Sequence, residues 1–192
     1  GVSRAGTLDV SGNKIRSLGT RSIRSPLRTG IVAFGVVRAR LSGNDITGLG
    51  PSSDFIGPVN GIMVLAPLGD FTVDHCNVER DISQGEGGGV GDCIALLVRG
   101  FAAGGATATV GGFTTANTGA AGLVLIAHGK AFLAAARDTG ARASILGNMF
   151  SSRGDAPAVD IAAAECQFND NRVEARLNSK DAVTIATPVI VM

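Results

Sequence analysis

Val10-Ser11-Gly12-Asn13-Lys14-Ile15 reads as a hydrophobic residue, two small or polar ones, Asn, any residue, and a second hydrophobic residue. The pattern returns as Leu41-Ser42-Gly43-Asn44-Asp45-Ile46, Ile145-Leu146-Gly147-Asn148-Met149-Phe150 and Phe168-Asn169-Asp170-Asn171-Arg172-Val173. Two degenerate copies lie between them, Val73-Asp74-His75-Cys76-Asn77-Val78 and Val110-Gly111-Gly112-Phe113-Thr114-Thr115. The fourth positions are 13, 44, 76, 113, 148 and 171, with steps of 31, 32, 37, 35 and 23. Self-similarity at steps of 23 to 37 residues is the mark of a stacked-repeat architecture.

A second ladder runs between the first. Short apolar strands, mostly introduced by a turn residue, begin at Gly30-Ile31-Val32, Gly61-Ile62-Met63, Cys93-Ile94-Ala95, Leu123-Val124-Leu125, Ala158-Val159-Asp160 and Ala182-Val183-Thr184. Anchored at 31, 62, 94, 124, 159 and 183, they step by 31, 32, 30, 35 and 24. Two ladders drawn from different residues therefore share one step. No segment sustains a 3.6-residue apolar period for long, the best being Gly129 to Ala143, which reads as one short helix in a loop. A propeller blade would need four strands per repeat, and leucine-rich repeats their own consensus. Two short strands per 23–37 residues with Gly and Asn at the corners leave a parallel β-helix, one coil per repeat. Six coils stacked at about 4.8 Å would span roughly 29 Å. At each corner Asn is expected to accept left-handed geometry and to pair its amide with the Asn one coil away. Asn13, Asn44, Asn148 and Asn171 would form that ladder, and Cys76 and Phe113 would interrupt it.

Composition agrees. The 192 residues suit one domain, 1–192, with 45% hydrophobic and 17% charged residues. There are 28 Gly, 8 Phe, no Trp and no Tyr, so the core must be filled by aliphatic side chains in narrow layers. Net charge is +1, which does not point to nucleic acid, although residues 1–50 carry eight basic and two acidic residues and the remainder nine and fourteen. No apolar run reaches the 18–20 or so residues of a membrane span. Three cysteines without C-x-x-C spacing support neither a disulfide framework nor a zinc site. No cofactor or metal is expected. Val189-Ile190-Val191-Met192 reads as the start of a further strand and Leu8 already belongs to a ladder strand. The ends are thus expected to be uncapped, to belong to a longer solenoid, or to stack on coils of the same or another chain.

The x-Val-x-Gly-Asn-x-Ile and Gly-Ile-x-Val motifs resemble the right-handed parallel β-helix superfamily, the pectin-lyase-like fold, over essentially the whole chain. The resemblance implies an all-β, right-handed solenoid of about six coils. It also allows a secreted, cell-surface or particle-associated setting. Two enzyme families of this fold share partial motifs with the chain. Asn60-Gly61-Ile62, Asp92-Cys93-Ile94-Ala95-Leu96 and His128-Gly129 echo polygalacturonase-like strands, with Gly91 in place of the leading acid and Ala127 before the His. Thr72-Val73-Asp74-His75-Cys76 echoes the Trp-Ile-Asp-His-Cys strand of pectate lyases without its Trp. The arginine motif expected after that strand has its nearest match upstream, at Arg24-Ser25-Pro26-Leu27-Arg28. Sugar sites commonly stack Trp or Tyr on the sugar ring, and this chain has neither. The reading is therefore a non-catalytic scaffold or surface-binding module. The alternative is a polysaccharide-active lyase or hydrolase with its site near Asp74, His75, Asp92 and His128. Four long connections, Arg16–Thr29, Thr47–Asn60, Glu79–Asp92 and Thr114–Ala121, are expected to pile onto one face of the solenoid.

Overall fold

The computed structural model describes residues 2–3, 6–16, 28–49, 59–80, 93–100, 106–116, 122–126, 141–151, 157–174, 182–186 and 189–191. Every regular element among them is a β-strand. The first coil contains β1 (Val2–Ser3), β2 (Thr7–Ser11) and β3 (Lys14–Arg16). The second contains β4 (Arg28–Phe34), β5 (Arg38–Ser42) and β6 (Asp45–Leu49), and the third β7 (Val59–Leu65), β8 (Phe71–Asp74) and β9 (Asn77–Arg80). Then come β10 (Cys93–Arg99), β11 (Thr107–Gly111) and β12 (Thr114–Ala116), followed by β13 (Leu123–Ile126), β14 (Arg142–Leu146) and β15 (Met149–Ser151). β16 (Val159–Ala162), β17 (Glu165–Asn169) and β18 (Arg172–Glu174) complete the sixth coil, and β19 (Val183–Ala186) and β20 (Val189–Val191) lie beyond it. Each strand pairs in parallel with its equivalents in adjacent coils, giving three sheets: A from β1 to β19, B from β2 to β20, and C from β3 to β18. The protein is an all-β parallel β-helix of about six coils.

Each coil thus has three strands where the sequence pattern suggested two. The ladder motif is not one strand. Val10-Ser11 ends β2, Gly12-Asn13 turns the corner, and Lys14-Ile15 opens β3. A two-residue corner is too short to break the hydrophobic pattern, so two strands read as one. The expected helix over Gly129 to Ala143 also fails at its end, since Arg142 and Ala143 open β14 and pair in parallel with Thr107 and Ala108. Residues 129–140 lie outside the described residues.

The interior is built in columns. Register places Leu41, Val73, Val110, Ile145 and Phe168 above one another in sheet B. In sheet A, Ile31, Ile62, Leu96, Leu123, Val159 and Val183 form one column. Like-on-like aliphatic stacking gives close packing without large rings. Phe71 is accommodated because its in-register neighbours are Ala39 and Ala108. Buried Phe113 and Phe150 sit 6.2 Å apart at a 40° tilt.

The sheet A column corrects two expected anchors. Leu96, not Ile94, continues Ile62, and Leu123, not Val124, continues Leu96. A strand with one polar face fixes its own register, because a one-residue slip exposes the core. Sheet A lacks that contrast. Its outward row is Val32, Met63, Leu97 and Val124, in register, before turning polar at Asp160 and Thr184. The corresponding row of sheet B runs Asp9, Arg40, Thr72, Thr109, Ser144 and Gln167, and there the alternation alone gives the register.

Candidate functional site

The connection from sheet B to sheet C has two residues in every coil: 12–13, 43–44, 75–76, 112–113, 147–148 and 170–171. The first of each pair carries the left-handed backbone, at φ of 67°, 62°, 51°, 58°, 64° and 55°. The left-handed residue is therefore the Gly, His75 or Asp170, and not the Asn that follows. Asn contributes through its side chain instead. Asn13 donates its Nδ2 and backbone N–H to Asn44 Oδ1, at 2.9 and 3.1 Å. Asn148 does the same to Asn171 Oδ1, at 2.8 and 3.0 Å. The Nδ2 groups of Asn44, Asn148 and Asn171 also donate to the Val10, Val110 and Ile145 carbonyls of the preceding coil, at 2.8, 3.0 and 2.8 Å. Asn44 and Asn148 are 1% and 3% exposed, so these bonds offset the cost of burying an amide.

Cys76 continues the ladder rather than breaking it. Its Sγ accepts from Asn44 N–H at 3.4 Å and Nδ2 at 3.6 Å, and its own thiol faces the Leu41 and Asp74 carbonyls, both at 3.4 Å. Burial pushes its pKa up, with the Asn44 hydrogen bonds pulling the other way. Phe113 has no side-chain donor to pass on, and its backbone N–H donates to Asn148 Oδ1 at 2.8 Å. The break therefore falls between Cys76 and Phe113. Main-chain bonds bridge it, with Thr114 N–H on the Cys76 carbonyl at 2.9 Å.

His75 and Asp74 stand at this same corner. Asp74 ends β8 on the outward face of sheet B, and its Oδ2 lies 3.6 Å from both Arg40 Nη2 and His75 Nδ1. Both are beyond hydrogen-bond distance, and the Arg40 approach is a charge contact. Asp74 Oδ1 is buried and has no hydrogen-bond partner among the described residues. The His75 side chain is 79% exposed and lies over the next corner, where a Cβ on Gly112 would stand 3.2 Å from its ring. Its backbone N–H donates to the Gly111 carbonyl at 2.9 Å, as the equivalent Gly12 and Gly43 donate to Ser42 and Asp74. Sequence reasoning missed Arg40, although the ladder alignment of Leu41 with Val73 puts Arg40 beside Thr72 and on the face of Asp74.

The other acids nearby are committed to the frame. Asp70 Oδ1 accepts from Thr107 N–H at 2.7 Å, and Asp45 Oδ1 from Asn77 Nδ2 at 3.0 Å. Asp92 and His128 lie outside the described residues; the two predicted positions that are described, Asp74 and His75, stand together, with Arg40 added. Of the four long connections, the strands at their stems all leave sheet C and enter sheet A, at one corner of successive coils. Residues 17–27, 50–58, 81–92 and 117–121 between those stems lie outside the described residues.

Cys76 and Cys166 are free and buried, and burial holds the Cys166 thiol up at about 11. Among the described residues no group of three His, Cys, Asp or Glu side chains could hold a metal ion. No described helix is long and apolar enough to cross a membrane. No protein-family model, curated protein or solved structure matches the chain. One loosely paired carboxylate beside an exposed imidazole and a guanidinium can hold a polar ligand electrostatically. Glycoside hydrolysis needs two facing carboxylates roughly 5–9.5 Å apart, and Asp74 is the one described acid at this corner left free of the frame.

Proposed function

We propose that this protein is a non-catalytic β-helical scaffold or surface-binding module, a rigid rod that presents its outward faces and connections. The observation that carries this reading is the use made of Asp74-His75-Cys76. His75 supplies the left-handed corner, Cys76 supplies a ladder rung, and Asp74 places its carbonyl under the Gly43 N–H at 3.0 Å. The strand that most resembles a catalytic one thus lends the backbone of Asp74 and His75 and the side chain of Cys76 to the stacking of coils. The three parallel sheets and the Asn ladder also support the resemblance to the right-handed pectin-lyase-like class, which allows secreted, cell-surface or particle settings.

One observation favours a second reading, a polysaccharide-active lyase or hydrolase: the unpartnered Oδ1 of Asp74 with Arg40 and His75 beside it. Incubation with polyuronates, with and without calcium, separates the two. The scaffold reading predicts no chain cleavage in either condition. Cleavage that Asp74→Asn abolishes while the coil fold is retained would establish the enzyme and sink the scaffold.

A further inference from the structure

Among the described residues four large apolar side chains are exposed, and three of them stand together. Phe34, Val37 and Leu68 are 47%, 52% and 43% exposed, and all lie where sheet A turns into sheet B in the second and third coils. The interior does not call for them. Ala33 and Val36 already fill the core at this corner. The backbone beneath the three side chains is fixed. Gly35 and Ala66 take left-handed φ of 61° and 46°, and their N–H groups donate to the Leu65 and Arg99 carbonyls of the next coil, both at 3.0 Å. Leu68 N–H returns to the Val36 carbonyl at 2.8 Å. Gly69 lets the two corners close up, since a Cβ there would collide with the Val37 carbonyl. Exposed apolar side chains gathered on a rigid corner mark a contact surface.

The rim of this patch is basic. Arg38 follows Val37 on the outward face of sheet B, and Arg99 continues the register row of Phe34 and Leu65. Both are exposed, and neither has an ion-pair partner among the described residues. Arg40, two residues on, faces Asp74 instead. The acid beside the patch, Asp70, gives one oxygen to Thr107 N–H at 2.7 Å.

Shape selects among occupants. β4, β5 and β7 are each paired on both sides, so no open strand edge is offered to a peptide. A corner of the solenoid is convex and forms no groove for a helix. Two copies meeting corner to corner would touch along a line, short of the 800 Å² or so per partner of a stable interface. A broad anionic surface over an apolar interior suits the convex edge, the protruding apolar side chains and the unpaired guanidinium groups together. We propose that this corner binds an anionic lipid bilayer, with Phe34, Val37 and Leu68 entering the headgroup boundary and Arg38 and Arg99 at the level of the phosphates. The rod lies on the membrane and does not span it. The inference goes beyond the scaffold reading and stands whether or not Asp74 takes part in chemistry.

The chain has no Trp, so single-Trp variants of the intact protein report one position each. Vesicles of phosphatidylcholine, with and without phosphatidylserine, are the probes. The native chain is expected to float with the phosphatidylserine vesicles, and less so as salt rises. Phe34→Trp emission should shift to the blue on those vesicles. Met149→Trp, at the exposed apolar position of sheet C, should not shift. Arg38→Gln and Arg99→Gln should each weaken binding about fivefold, and Leu68→Ser about tenfold. Failure of the native chain to bind either vesicle would overturn the proposal, as would equal shifts at the two Trp positions. Self-association in sedimentation that Leu68→Ser abolishes, without vesicle binding, would overturn it in favour of a second copy. If a variant fails to fold, flotation of the native chain decides alone.

Discussion

Two corners of the same coil follow opposite rules. Between sheets B and C the chain always turns in two residues, with a left-handed first residue and a ladder side chain second. Between sheets C and A the connection varies from coil to coil, and nearly all of the uneven repeat length is absorbed there and between A and B. The first corner is fixed because every change in it is transmitted to two neighbouring coils through side-chain and main-chain bonds. The second can vary because loop-closure entropy grows only slowly with length. A solenoid can thus keep one edge rigid and diversify another, which is the arrangement a presenting scaffold needs.

Substitutions should separate the corners by size of effect. The largest is expected at Phe113, buried at the ladder position and packed on Phe150. Phe113→Ala should cost about 3–5 kcal/mol in denaturant unfolding, because a ring-sized cavity in stacked columns has few ways to collapse. Asn148→Ala should follow at about 2–4 kcal/mol, since it leaves the Phe113 N–H without its acceptor and withdraws the donors to Val110 and Asn171. A loss below 1 kcal/mol or so at Asn148 would mean that the ladder decorates the corner without holding it. On the sheet A side, Gly61→Ala should cost about 1–3 kcal/mol, because its Cβ would meet the Ala95 carbonyl at 2.7 Å as well as Val78.

Smaller changes sharpen the same contrast. Cys76→Asn restores the ladder residue between Asn44 and the break. It should be neutral or stabilising by up to about 1 kcal/mol, with unfolding midpoints as the readout. On the outward face of sheet A, burial raises the Asp160 carboxyl above its ordinary range. The folded state then binds this proton more tightly than the unfolded chain does. Stability from this group is present at low pH and is lost as pH rises through the folded-state value. Asp160→Asn should therefore raise the midpoint near neutral pH by a small amount, and the gain should vanish below the ordinary Asp range. A gain that persists in acid would assign the effect to packing. Arg172→Ala, which removes an exposed pair with Glu174, should change stability by less than about 0.5 kcal/mol.

The ladder corner was legible because its two-residue length is the same in all six coils and its residue types are unusual: all six fourth positions fall at the corner, in the register that the sequence steps imply. Sheet B was legible through alternation. Sheet A was misread at Ile94 and Val124 because Met63, Leu97 and Val124 make its outward row as apolar as its inward one. Strand count was misread because Gly12-Asn13 and its equivalents turn too tightly to leave a gap in the pattern. Of the candidate site, Asp74 and His75 could be placed from the motif, but their backbone employment in stacking depends on Gly43 and Gly111, about 31 and 36 residues away in the chain, which no local pattern displays. Arg40 could have been found by aligning outward positions as carefully as inward ones.

The central claim is that coils stack through the B–C corner in this register. Through-hydrogen-bond NMR couplings read it directly. The account predicts couplings from the backbone nitrogens of Asp45, Asn77, Thr114, Met149 and Arg172 to the carbonyl carbons of Asn13, Asn44, Cys76, Phe113 and Asn148, one step apart along the ladder. Couplings that join these nitrogens to any other set of carbonyls, or their absence from a folded sample with protected amides, would contradict it.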